Sequence, residues 1–170
     1  QAGILFATGQ TPVQLGNAAF FQKRGYGDSA AGHEIWDVAR DMADYESVAA
    51  PSPRGVQIRP AQPGDEKALL EFFYREFPNR WRFEFQESLR TGGRLSDWMV
   101  LLSDHGVDGF ARLTFEDSVQ PYERFYPYTL PRPWGQLGPI GVSAESRGRG
   151  YGRAVLDAGA RPAEPGEFTR

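Results

Sequence analysis

The chain has 170 residues with a net charge of −3, 40% hydrophobic and 14% aromatic content, and no cysteine. Those values fit one globular domain or a little more and argue against disorder and a general nucleic-acid coat. The absence of cysteine excludes disulfides, thiolate catalysis and cysteine-based metal sites, and fits a cytoplasmic protein.

In chain order, residues 4–8 form a short apolar run consistent with a buried strand. Residues 15–24 read as a helix, with Leu15, Ala18, Ala19 and Phe20 on one face and Gly25 as the stop. Residues 34–39 fit a strand, with a helical or extended continuation to Tyr45. Residues 47–55 hold Ser, Ala, Pro and Gly and form the best linker. A strand over 56–59 follows. Asp65 then stands at the cap of a helix whose face is Leu69, Phe72, Phe73 and Phe77. Trp81, Phe85 and Leu89 mark a second helix, closed by Thr91, Gly92 and Gly93. Strands are expected over 98–103 and 109–115, with 104–108 as a hairpin loop. Residues 120–134, rich in Pro, Tyr and Phe, read as an irregular loop that either lines a pocket or covers a sheet face. An apolar strand over 137–142 leads into Arg147, Gly148, Arg149, Gly150, Tyr151 and Gly152, and a helix opens at Ala154. From Pro162 onward a frayed tail is expected. The alternation of helices and strands predicts a mixed α/β or α+β sheet with helices on its faces.

The glycine stretch carries the chemistry. Glycines on alternate positions allow a tight turn and close approach of a ligand. A helix opening after such a loop presents amides and a positive dipole end, which suits a phosphate group. A dinucleotide loop would need an acidic residue about 20 positions further on, inside a further strand. Only residues 153–170 follow, with Pro162 among them. An arginine-glycine RNA tract would be repeated and lack apolar flanks. A glycine-rich turn without a ligand is the plain alternative. With two histidines and no cysteine, no metal site is expected: His33 lacks a second histidine four residues on, and His105 falls in the hairpin turn.

The same stretch resembles motif A of the GNAT N-acetyltransferase superfamily, whose pattern is Arg or Gln, two residues, Gly, one residue, Gly or Ala. Arg147, Gly150 and Gly152 occupy those positions. Residues 142–148 look like the family's strand-to-loop passage, and Ile58 to Ala61 followed by Asp65 look like its first strand and helix. The resemblance covers residues 56–160 and implies a mixed, largely antiparallel sheet with helices on both faces. It implies acetyl-CoA as co-substrate, with Arg147, Gly148, Arg149, Gly150, Tyr151, Gly152 and Arg153 at the pyrophosphate and Ile140 and Val142 along the pantetheine arm. It further implies direct attack of a small-molecule or peptide amine on the thioester. Neither nucleic acid nor membrane is expected as partner, given the acidic net charge and the absence of an apolar run near the ~20 residues of a membrane span.

Residues 1–46 resemble the back of such a domain, with residues 17–26 similar to its fourth helix. The chain then reads as back part, linker (47–55), front part (56–160) and tail (161–170). Either it is the middle of a truncated tandem protein, or the two parts complement each other, within one chain or as swapped halves of a homodimer. Where the family often has a tyrosine as general acid, Phe21 stands, with Tyr26 near but off the pattern. Glu116 and Asp117 are the general-base candidates nearest by topology; ordinary exposed strand-end residues are the alternative. A non-catalytic coenzyme A-binding or interaction module is the rival function.

Overall fold

The computed structural model describes residues 3–6, 23, 38–43, 45–46, 53–119 and 132–161. The expected helix over 15–24, Phe21, Tyr26, His33, most of the 47–55 linker, residues 120–131 and the tail beyond 161 lie outside the described residues.

Among the described residues one sheet of six strands organises the structure, in the order β2-β1-β6-β5-β4-β3. The strands are β1 (Gly3–Phe6), β2 (Val38–Asp41), β3 (Gln57–Pro60), β4 (Trp98–Ser103), β5 (Gly106–Phe115) and β6 (Trp134–Val142). All neighbours are antiparallel except β1 and β6, which run parallel. Among the described residues three helices accompany the sheet: α1 (Glu66–Glu76), α2 (Arg80–Arg90) and α3 (Tyr151–Ala160).

Alternation along β4 and β5 sorts the core into two layers. Trp98, Val100 and Phe110 face α1 and α2, where they meet Leu69, Phe72, Phe73 and Phe85. The aromatic rings there pack mostly edge to face, with Phe110 4.7 Å from Phe73 and 5.4 Å from Trp81 between centroids. Met99, Leu101, Ala111 and Leu113 face the other way, against Leu137, Tyr151 and Val155 under α3. The helix face read from the spacing of Leu69, Phe72 and Phe73 is therefore the one that is buried.

Four expectations change. Asp65 has helical backbone angles, and its side chain makes no cap bond. Its carboxylate turns back to Arg59, at 2.6 and 3.1 Å, and to the Gln62 amide at 2.7 Å. A charge-assisted bidentate pair outcompetes a single bond to a helix amide. The hairpin loop shrinks to a two-residue turn, because Ser103 already pairs with Gly106, whose φ of +94° suits the turn. β6 begins at Trp134, the last residue of the expected loop, rather than at Leu137. Finally, α3 begins at Tyr151, so the last two residues of the glycine stretch lie in its first turn.

β2 and β3 occupy opposite edges of the sheet, so the connection between them crosses its whole width. Both ends of that connection lie against the α3 side. The Tyr45 hydroxyl donates to Asp157 Oδ1 at 2.8 Å, and Val56 packs on the cluster beneath α3.

Candidate functional site: a glycine loop beside a half-paired strand

β6 is paired unequally along its two edges. On one side β5 follows it from Gly109 opposite Val142 to Phe115 opposite Gly135. On the other side β1 pairs only with Trp134, Gly135 and Gln136. Among the described residues nothing pairs with the β1-side edge of β6 beyond Gln136. The departure coincides with an irregularity. Two steps along β5, Ala111 to Leu113, match three along β6, Ile140 to Leu137. The extra residue falls at Gly138–Pro139, as in a β-bulge that bends the strand. Ile140 and Val142 anchor their side chains in the cluster under α3, which leaves the backbone of this half-strand as its available surface.

The half-strand runs into the loop. Ser143 starts a short 3-10 turn, Ala144–Ser146, and Arg147 is extended. Gly148 and Gly150 have φ of +78° and +81°, which an L side chain adopts only under strain. Gly150 is the N-cap of α3, and its carbonyl accepts the first helical hydrogen bond from Ala154 at 3.0 Å. The amides of Tyr151 and Gly152 precede that bond, so the helix offers them no carbonyl. Gly152 is the informative glycine. It sits in the helix, needs no positive φ, and a Cβ there would meet nothing within 4 Å. Glycine costs a helix interior about 1 kcal/mol against alanine. Neither backbone strain nor packing among the described residues accounts for it, whereas close approach of a ligand would.

The side chains around the loop divide. Arg147, Arg149 and Arg153 are exposed, whereas Tyr151 is buried in the cluster under α3 and offers the loop only its backbone. Beneath the turn lie residues that sequence reasoning missed. The buried Asp108 carboxylate accepts from Ser103 Oγ at 2.5 Å and Ser143 Oγ at 2.9 Å, and Ser146 also donates to it. Glu76 Oε2, at the end of α1, accepts the Ala144 amide at 2.9 Å. Burial pushes the Asp108 carboxyl up, but the three hydroxyl donors outweigh it and hold the group below its usual value. The legible signal was an aspartate between Val107 and Gly109 in a strand pattern, matched by serines ahead of the glycines.

Glu116 and Asp117 follow β5 at the end away from the loop. Seven β6 residues separate the two ends, roughly 23 Å at about 3.3 Å each. Glu116 Oε1 accepts the Trp134 amide at 3.0 Å, and Arg132 stands 3.5 Å from its other oxygen. Asp117 takes a two-pronged bond from Arg94 at 2.9 and 3.1 Å. That bond, aided by Asp97, raises the Arg94 pKa further above its ordinary value. Thr114 and Gln136 pair across β5 and β6 and share the α1–α2 face with Arg112. Thr114 is fully buried, and among the described residues neither its hydroxyl nor the Trp134 indole N–H has a partner. No cluster of three or more metal-ligating side chains occurs among the described residues. None of their helices is long and apolar enough to cross a membrane.

No family model matches the chain, and no curated protein matches it in sequence. Solved structures do. A GCN5-related glucosamine N-acetyltransferase region in a fungal multi-domain GH3 beta-N-acetylglucosaminidase superposes with a TM-score of 0.67 at 21% identity, over 88% of this chain and 19% of that one. The fold is that of the GNAT acetyltransferases. Two others are a histone acetyltransferase HPA2 and related acetyltransferase from Corynebacterium glutamicum and a GNAT acetyltransferase from Brucella melitensis solved with acetyl-CoA. Their identities are 18% and 19%, and their TM-scores 0.42 and 0.41. The first covers 62% of this chain and 70% of its own, the second 59% and 63%. In this fold β1, which precedes residues 47–55 in the chain, stands beside β6.

Proposed function

We propose that this chain is an acetyl-CoA-dependent N-acetyltransferase whose two parts complement each other within one molecule. The observation that carries the reading is the half-paired β6 edge running directly into the glycine loop. A pantetheine arm would hydrogen-bond along the backbone of residues 138–142 as an added half-strand. The pyrophosphate would lie on the amides of Arg149, Gly150, Gly152 and Arg153, where the helix dipole favours negative charge. Gly152 leaves room for it.

The reaction would be direct attack of the acceptor amine nitrogen on the thioester carbonyl carbon. The C–N bond forms, the C–S bond breaks, coenzyme A leaves as its thiolate and takes a proton from water, and the amine gives up one proton. Glu116, at the Trp134 end of β6, would receive that proton only through a chain of waters, and a backbone amide near the bulge would stabilise the carbonyl oxygen. The unpartnered Thr114 hydroxyl and Trp134 indole lie on the same sheet face and would hold polar groups of the acceptor.

One observation favours a second reading, a coenzyme A-binding module without turnover: Glu116 and Asp117 both already have structural partners. Calorimetry with acetyl-CoA tests the site common to both, and absence of binding overturns both. Thiol release with a panel of amines, glucosamine among them because of the superposed fungal region, then decides between them. Binding without release from any amine selects the module.

A further inference from the structure

The turn ahead of the glycine loop rests on a carboxylate that a strand irregularity has displaced from the ladder. Leu101 pairs with Gly109 and Leu102 with Val107, so Asp108 is the extra residue on β5. Such bulges re-aim a side chain. Here the side chain is only 5% exposed and gathers three hydroxyls, from Ser103 on β4 and from Ser143 and Ser146 on the turn. The Asp108 carbonyl also accepts the Ser143 amide at 2.9 Å. Glu76 holds the next residue, Ala144, from α1. Within the turn, the Ser146 amide donates to Ser143 and the Arg147 amide to Ala144, at 3.1 and 3.4 Å. Hydroxyls donated by the turn into a buried carboxylate fix where its backbone can go. The glycines that follow begin from that fixed point.

We propose that Asp108 is a positioning residue for the anion loop. It touches no ligand; it presets the turn so that the amides from Gly148 to Gly152 converge on the pyrophosphate of coenzyme A. This rests on the coenzyme A reading above. The charge is needed because a neutral group cannot hold three donors with equal strength in a buried site. A negative charge beneath an anion loop would by itself weaken anion binding. The inference therefore requires that the positioning gain outweigh the repulsion, and an isosteric neutral variant decides the point.

Asp108→Asn is compared with the unmodified chain in three measurements. Calorimetry with coenzyme A should show Kd raised about tenfold, the scale of one lost hydrogen bond to a charged group. NMR titration with pantetheine, which lacks the pyrophosphate, should show no change. Hydrogen exchange without ligand should show the Ser146 and Arg147 amides exchanging faster while the β5–β6 ladder stays protected. Should Asp108→Asn fold poorly, Ser146→Ala removes one donor from the turn alone and should give the same pattern with a smaller loss. Unchanged or tighter coenzyme A binding overturns the proposal. So does an equal loss for both ligands, or a uniform loss of protection across the sheet, since any of these would mean a merely structural carboxylate. If the unmodified chain itself fails to bind coenzyme A, the coenzyme A reading falls and the ligand part of this proposal with it. The exchange result still reports whether Asp108 sets the turn.

Discussion

β6 has two neighbours that hold it in opposite ways. β5 pairs with it from Gly135 to Val142 and is joined to β4 by a two-residue hairpin over an aromatic core. β1 arrives from a distant part of the chain, runs parallel, and pairs over three residues. The first contact is built for stability. The second leaves the backbone of residues 138–142 without a strand partner on that side among the described residues, a feature that a folded protein retains at a sheet edge only at some hazard. An edge left open among those residues beside a glycine loop has room for an extended ligand.

The comparison breaks most severely on the β5 side. Phe110 is fully buried and lies within 4.7–6.1 Å of the rings of Phe72, Phe73, Phe77, Trp81 and Trp98. Phe110→Ala should cost about 3–5 kcal/mol in urea unfolding. A loss below about 1 kcal/mol would mean that this ring cluster is not the centre of the fold.

On the β1 side the expected order of effects reverses. Leu5 is opposite Gln136 on β6 and Ala39 on β2, so β1 is an interior strand. Proline there removes a ladder donor and is tolerated poorly. Leu5→Pro should lower the urea midpoint less than Phe110→Ala does, yet raise the Kd for coenzyme A by about tenfold or more, as loss of one wall of the ligand groove would. Unchanged affinity measured by calorimetry would show that β1 does not shape the groove.

The same contrast explains what could be read from sequence. The elements of the β5 side declare themselves locally. Leu69, Phe72 and Phe73 at helical spacing, and Trp98 to Leu102 as an apolar run, bury what their patterns say they bury. Readings failed where a distant partner changes the meaning of a residue. Asp108 looks like a loop residue until three serines neutralise the cost of burying it. Gly152 looks like part of a loop, though the helix includes it. Trp134 ends a proline-rich stretch that reads as irregular, yet it opens β6, with its amide tied to Glu116. The neighbour relation of β1 and β6 has no local signal whatever; only the family resemblance of both segments raised it. In the site, the glycine loop was legible because backbone geometry dictates glycine. The carboxylates that fix it were not, because nothing in their local sequence says where a bulge will aim them.

The smallest effect tests whether the early segment sits on its own chain in solution. Tyr45 donates to Asp157 on α3, while Arg161 holds the other carboxylate oxygen at 2.6 Å and Arg40 lies over the Tyr45 ring at 5.2 Å. Tyr45→Phe removes one hydrogen bond and leaves Asp157 its arginine, so the cost should be about 1 kcal/mol rather than that of an orphaned buried charge. The pH dependence has a definite sign. Burial, then the bond to Asp157, raises the Tyr45 phenol above its usual value. A group whose folded pKa is raised contributes stability that is complete below its unfolded value, near 10, and is lost as pH rises through the folded one. The difference between Tyr45→Phe and the unmodified chain should therefore be flat through the neutral range and shrink only in strong alkali. A difference of zero near neutrality, by urea unfolding at dilutions that exclude dimers, would mean that residues 38–46 are not docked on α3 of their own chain. The complementation on which the groove depends would then have to come from a second copy.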